Sequence, residues 1–331
     1  MRRDLFFKLT FLVFLITSSP FASSIELTDP LPSWNNGIAK QSIIAFATDV
    51  TDKTSKNYVR PEDRIATIDN DGTLWVEQPM YTQEIFIKDR FQELLKNHPE
   101  WKKQEPFKSI LTSPSKKNRE AVFAITSSKM TVEQFNSTIK DWLKTAINPR
   151  FRHHYTELVF QPMLEVINYL QANQFIVYIV SGGGQDFVRA FSEDVYHIPT
   201  EHVIGSTTKT KYTYQNNIPI LIKEAKPLFI SDHTGKPEAI NLFIGKKPIL
   251  AIGNSDGDQQ MLEWTQSRPG KTLLLLVHHD DAQREYAYDS HSNVGTFTQA
   301  LFAEAKKNNW YIISMKNDWK VIFPYELGQK K

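Results

Sequence analysis

Ile65-Ala66-Thr67-Ile68-Asp69-Asn70-Asp71-Gly72-Thr73-Leu74-Trp75 is the stretch from which the rest of the chain can be read. Its first four residues are apolar or β-branched, the composition of a short buried strand, and two carboxylates and a glycine arrive where that strand should end. Open α/β sheets bind ligands beyond the carboxyl ends of their strands. Asp69 is therefore expected as the last strand residue, facing a crevice, with Asp71 starting the loop. Two acids one residue apart repel unless a positive charge lies between them. Hard carboxylate oxygens suit magnesium, which works alongside substrate phosphates.

Working outward, Phe175 to Val180 is a continuous apolar run suited to a central parallel strand, followed by Ser181-Gly182-Gly183-Gly184 and a helix from about Gln185 to Asp194. A hydroxyl and a backbone N–H at such a place face an oxyanion near a helix start, although a plain strand-to-helix turn has the same letters. Pro248 to Ile252 is another buried strand, and it delivers Gly253-Asn254-Ser255-Asp256-Gly257-Asp258. An ordinary turn rich in Asn, Asp and Gly reads alike. Lys236 opens a helix about twenty residues before that turn, with Lys223 and Lys226 as competitors for the role of a site lysine. Val203 to Leu221 alternates around Gln215-Asn216-Asn217, a β-hairpin pattern. Leu273 to Val277 and Trp310 to Met315 are further strands, with a helix between them from Thr296 to Lys307.

The run D-N-D-G-T-L at 69–74 resembles motif I of the haloacid dehalogenase (HAD) superfamily in its phosphatase form, D-x-D-G-T-L/V. Ser181 resembles the Ser or Thr of motif II, Lys236 the motif III lysine, and 253–258 motif IV, all in the family's order over roughly Arg64 to Val277. The resemblance implies an α/β fold, a Rossmann-like parallel sheet flanked by helices, with an inserted mainly helical cap domain. It also implies catalytic roles for Asp69 (nucleophile), Asp71 (general acid/base), Ser181 and Lys236. Ser181, Gly182 and Lys236 would bind the phosphoryl group, and Asp69, Asp71, Asn254 and Asp258 would hold Mg2+, with Asp256 a second candidate. The common motif IV has Asp where Asn254 stands, and an amide brings no charge. Family members that break carbon–halogen bonds lack an acid at the place of Asp71. The activity implied is Mg-dependent hydrolysis of a small-molecule phosphomonoester through an aspartyl-phosphate. A phosphotransferase acting on an alcohol and a catalytically silent phospho-ligand binder are the alternatives.

The domain reading follows from spacing. Residues 25–78 form an N-terminal extension, with a helix from Ile38 to about Asp52, and the first core strand. About a hundred residues separate Trp75 from Phe175, where a crossover needs only a dozen or so. Helical patterns fill the gap at Tyr81 to His98, Asn118 to Ile125 and Thr131 to Ala146, the last with a Thr131/Gln134 capping box. The cap is therefore expected over 79–150 and the remaining core over 151–331, entered by a helix whose first turn holds Pro162.

Arg2, Arg3 and Lys8, the apolar run Leu9 to Ile16 and the small residues Ser18 to Ser24 have the form of a secretory signal peptide over 1–24. Its apolar run is shorter than a bilayer span of roughly 20 residues, so cleavage and no stable membrane insertion are expected. Cysteine is absent, which excludes disulfides and thiolate metal sites and suits a periplasmic or secreted protein. The 331 residues carry a net formal charge of +2, too small to argue for nucleic acid. His278-His279-Asp280-Asp281 looks like metal chemistry, but consecutive residues of a strand face opposite ways. His153-His154 reads as surface, and Trp75, Tyr155 and Phe160 as packing. Lys116, Lys117 and Arg119 read as a solvated basic face.

Overall fold

The fold was analysed in a computed structural model, which describes residues 29–105, 107–112, 122 and 126–328. The expected leader, the basic residues at 116–119 and most of the helix expected at 118–125 lie outside the described residues. Seven strands form one sheet in the order β4-β3-β2-β1-β5-β6-β7. They are β1 (Ile65–Ile68), β2 (Ile176–Gly184), β3 (Val203–Gln215), β4 (Ile218–Phe229), β5 (Leu250–Gly253), β6 (Leu273–His278) and β7 (Tyr311–Ser314). All neighbours are parallel except β3 and β4. The mostly parallel, helix-flanked sheet is the Rossmann-like arrangement expected from the sequence.

The central strands are buried along their whole length, as apolar runs without alternation should be. β1 lies between β2 and β5, so the chain leaves β1 toward one edge and later returns to the other. That reversal leaves the crevice beyond β1 open, the place where such sheets bind ligands. Asp69 continues the ladder by one bond, its N–H donating to the Ile252 carbonyl at 2.9 Å, and its side chain is thereby fixed at the mouth of that crevice.

Between β1 and β2 the described helices are Thr82–Asn97, Phe107–Thr112, Val132–Leu143 and Gln161–Ala172, with short 3-10 turns between them. Thr131 and Gln134 form the capping box read from the sequence. Phe86, Phe135, Ile139 and Leu143 from these helices join the same apolar cluster as Trp75 and Phe187. The helix Ile38–Thr51 buries Ile43, Phe46, Ala47 and Val50, and the preceding Trp34 donates its indole N–H to the Pro162 carbonyl at 2.9 Å. The N-terminal extension is thus part of the core. No described helix is long and apolar enough to cross a membrane.

Three local readings need correction. Ser181 to Gly184 continue β2 instead of forming a turn, with a bulge between Val180 and Gly184, because Gly184 pairs with Ser206 of β3. The helix expected over 185–194 is two pieces, Gln185–Arg189 and Ser192–Tyr196, broken at Phe191, whose ring stacks on Trp75 with centroids 4.6 Å apart. The hairpin runs on to Phe229, turning at Asn216 and Asn217, both with positive φ as two-residue hairpin turns require.

Candidate active site

The loop after β1 is a tight turn built on one carbonyl. Asn70 O accepts from the N–H groups of Thr73, Leu74 and Trp75 at 3.2, 2.8 and 3.4 Å, and Gly72 N–H donates to Trp75 O at 2.9 Å. Gly72 has φ +75°, which a side chain disfavours. The buried His279 holds the turn from outside, with Nε2 2.7 Å from the Gly72 carbonyl and Nδ1 3.0 Å from Glu285. This histidine therefore has a structural role, not a metal-binding one. The amides of Asp69 and of Gly72 to Trp75 bind carbonyls, which leaves the carboxylates of Asp69 and Asp71 for the pocket.

That pocket, about 280 Å3, is lined by Asp69, Asp71, Glu77, Tyr81, Gln83, Glu84, Gly182, Gly183, Asp232, Lys236, Ser255 and Gly257. Lys236, from the first turn of the helix Gly235–Phe243, donates to Asp69 Oδ1 and Asp258 Oδ1, each at 2.5 Å, and to the Val180 carbonyl at 2.9 Å. Burial disfavours its charge, but Asp258 and Asp69 outweigh burial and hold its pKa above the ordinary lysine value. One ammonium thus serves two buried carboxylates. Burial and the Asp258 charge push the Asp69 carboxyl up while Lys236 opposes them. Asp71 is raised by burial too, opposed first by the Trp75 indole, whose N–H donates to Oδ1 at 2.9 Å. Ser181 Oγ accepts from Gly183 N–H at 3.0 Å and its hydroxyl also acts on Asp71.

Gly182 and Gly183 border the pocket because side chains there would enter it. An added Cβ would lie 3.3 Å from Asp232 Oδ1 at Gly182 and 3.4 Å from Asp71 Oδ2 at Gly183. Gln83, from the first turn of the helix Thr82–Asn97, reaches across to accept from Gly184 N–H at 2.6 Å.

The structure thus brings Asp69, Asp71, Gly182 and Lys236 to one pocket, with Ser181 buried just behind. The two residues expected from motif IV, Asn254 and Asp258, lie behind the pocket wall, each hydrogen-bonded within the protein. Asp258 is 1% exposed, with Oδ1 on Lys236 and Oδ2 accepting from the N–H groups of Asn254 (2.9 Å) and Ser255 (3.1 Å). Both its oxygens are engaged, so it orients Lys236 and closes the loop. Asp256, which does not line the pocket, accepts from the hydroxyls of Thr296 and Thr298 at 3.1 and 2.7 Å. Asn254 is buried, with Oδ1 accepting from Thr73 Oγ1 at 3.2 Å and Nδ2 donating to Glu77 Oε1 at 2.7 Å. Of the competing lysines, Lys223 pairs with Asp186, and Lys226 lies exposed on β4.

The sequence reading missed Glu77. It is 1% exposed, lines the pocket, and accepts from Tyr288 OH at 2.6 Å as well as from Asn254. Burial raises its pKa well above the ordinary glutamate value, and the charges of Asp71 and Asp69 add to that. Its position eight residues past Asp69 was the available signal. The partner Tyr288 is 211 residues away and gave none. Among the other aromatic and histidine candidates, Tyr155 and Phe160 are core, His153 stacks on Tyr325, and His154 Nδ1 lies 3.1 Å from the Ala146 carbonyl.

Three or more acidic, histidine or cysteine side chains grouped as a cation cage are absent among the described residues. The donors near the pocket are hard oxygens, two carboxylates (Asp69, Asp71) with the Asn254 amide oxygen behind them. That set suits magnesium, which takes one or two carboxylates and keeps several waters, better than it suits calcium, which takes six to eight oxygens.

The sequence pattern of the haloacid dehalogenase-like hydrolase family matches residues 66–263, more than half of the chain, and the chain belongs to that family. No curated protein matches it. Among solved structures, a conserved protein of unknown function from Anaerococcus prevotii DSM 20548 is 17% identical, with 73% of this chain and 86% of that one covered and a TM-score of 0.43. A protein of unknown function from Bordetella pertussis Tohama I is 11% identical (76% and 97% covered, TM-score 0.46). A phosphoserine phosphohydrolase-like protein from Francisella tularensis subsp. tularensis SCHU S4 is 16% identical (74% and 98% covered, TM-score 0.36).

Proposed function

We propose that this hydrolase cleaves small phosphomonoesters through an aspartyl-phosphate on Asp69. The observation that carries the reading is the pairing of two pocket carboxylates in different environments. Asp69 is held by the Lys236 ammonium, and Asp71, beside it, accepts instead from the uncharged Trp75 indole. A lysine-held carboxylate serves as nucleophile, and a carboxyl whose hydrogen-bond partners are neutral serves as acid.

In the first step an Asp69 oxygen attacks phosphorus, the phosphorus–oxygen ester bond breaks, and Asp71 gives its proton to the leaving alcohol. In the second, water attacks the phosphorus of the acyl phosphate, Asp71 takes the water's proton, and phosphate leaves. Lys236 and the backbone at Gly182 offset charge on the phosphoryl oxygens. Asp69, Asp71 and Asn254 would hold magnesium, which when bound neutralises charge between the carboxylates and the phosphate. The site needs such charge, because one ammonium already serves Asp69 and Asp258. The basic and apolar composition of residues 2–24 supports export to the periplasm or beyond, tested by the N-terminal sequence of protein recovered from cell fractions.

The test is phosphate release from a panel of phosphomonoesters, with magnesium or with EDTA, by the wild type and Asp69→Asn. Metal-dependent turnover absent from the variant is expected. A folded wild type that releases no phosphate from any substrate overturns the reading, and phosphate transfer to an added alcohol in preference to water would redefine it as a phosphotransferase.

A further inference from the structure

The motif IV position 254 is an uncharged amide, and the structure shows a buried carboxyl built against it. Glu77 Oε1 accepts from Asn254 Nδ2 at 2.7 Å and from Tyr288 OH at 2.6 Å. With a carboxylate on its nitrogen side, the Asn254 amide turns its oxygen toward Thr73 Oγ1 at 3.2 Å, and that hydroxyl lies 3.4 Å from Asp69 Oδ2. Two glycines make room for the pair. A Cβ on Gly72 would sit 2.1 Å from Asn254 Nδ2 and 2.3 Å from Glu77 Oε1, and one on Gly295 only 1.7 Å from Glu77 Oε1. Both glycines have positive φ, so the backbone on two loops over two hundred residues apart is shaped around one carboxylate–amide contact. Glu77 Oε2 has no hydrogen-bond partner among the described residues, and the side chain still borders the pocket.

Resting on the proposed magnesium-dependent hydrolysis, we propose that Glu77 is a positioning residue that makes Asn254 an effective cation ligand. It fixes which way the amide points, holding Nδ2 so that Oδ1 is the atom left to face Thr73 and Asp69. It thereby keeps a carboxyl one side chain removed from the place where an aspartate at 254 would have supplied one directly. Groups one shell out from a metal orient and tune the ligands they touch, and their loss typically costs 10–100-fold in metal affinity. Tyr288 holds Glu77 in turn, so its hydroxyl belongs to the same chain of contacts.

The experiment is calorimetric titration of the full chain with magnesium, without substrate, for the wild type, Glu77→Gln, Tyr288→Phe and the exchange Glu77→Gln/Asn254→Asp, each checked by thermal denaturation. Glu77→Gln is expected to weaken magnesium binding roughly 10–100-fold, and Tyr288→Phe to weaken it less. The exchange restores a carboxylate at 254 facing an amide at 77, and it should recover binding to within a few-fold of the wild type. A purely packing role would not predict that recovery. Unchanged affinity in Glu77→Gln, or a folded exchange variant that stays as weak as Glu77→Gln, overturns the proposal. If Glu77→Gln fails to fold, unchanged affinity in Tyr288→Phe together with a weak exchange variant does so.

The two readings fail separately. A wild type that binds magnesium in a Glu77-dependent way yet releases no phosphate would sink the hydrolysis and leave this inference standing. Metal-dependent turnover with normal magnesium binding in Glu77→Gln would sink this inference alone.

Discussion

Two acidic turns sit side by side at the ends of neighbouring strands, β1 and β5, and their carboxylates do opposite things. In D-N-D-G, after β1, Asp69 and Asp71 both line the pocket. In N-S-D-G-D, after β5, Asp258 accepts the turn's own N–H groups and Lys236, while Asp256 accepts two threonine hydroxyls from the loop beyond β6. The difference lies in where each turn's backbone donors point. After β1 they bind carbonyls and leave the carboxylates to the crevice. After β5 they bind a carboxylate and pull it into the protein. Composition alone cannot tell a site carboxylate from a structural one, whereas the destination of the amides can.

The largest effect separates the two turns by activity. Asp69→Asn keeps the size of the side chain and removes the nucleophile, so phosphate release should fall roughly a thousandfold or more while circular dichroism stays native. Turnover within tenfold of wild type would remove Asp69 from the chemistry and break the comparison at its strongest point. Asp258→Ala should act on the other side of the contrast. It orphans the buried Asn254 N–H and the half-buried Ser255 N–H and takes one of the two carboxylates from Lys236, so a loss of about 3–5 kcal/mol is expected in urea denaturation. An unchanged midpoint would mean that the turn after β5 does not depend on its carboxylate.

Much of this was legible because it is written locally. Each central strand is an apolar run, and each of the four motifs follows such a run or opens a helix, so the sheet class and the crevice could be expected from letters alone. What was missed depends on approaches between distant segments. Glu77 gains its meaning from Tyr288 and Asn254, Asp71 its orientation from the Trp75 indole, and Gly72 its support from His279. Trp75 was read as packing, and it does pack on Phe187 and Phe191, but the same ring carries the hydrogen bond to Asp71. The glycine run after Ser181 reads from sequence as the end of a strand before a helix, and although glycine disfavours strands, pairing to β3 carries β2 on to Gly184.

Asp256 sharpens the contrast at smaller scale. Asp256→Ala removes the acceptor of two hydroxyls and of Thr298 N–H, at an expected cost of about 1–3 kcal/mol. Magnesium affinity should stay as in the wild type, since the carboxylate does not reach the pocket. A large fall in affinity with the fold intact would return Asp256 to the metal site.

The smallest effect extends the comparison to a third acidic turn, His278-His279-Asp280-Asp281 after β6. Burial works to raise the Asp281 carboxyl, but the Arg284 amide and guanidinium and the Gln283 amide overcome it and hold the pKa below the usual carboxylate value. A carboxyl depressed in the folded state stabilises fully above its unfolded value, near 3.9, and that contribution fades as pH falls through the folded value. Asp281→Asn should therefore cost about 1.5 kcal/mol at neutral pH, with the gap to wild type closing below about pH 4. Urea midpoints of both proteins at several pH values measure this. A gap constant down to pH 3 would mean that the loss comes from packing, and that the Arg284 pairing, unlike the lysine bridge at Asp69, is electrostatically silent.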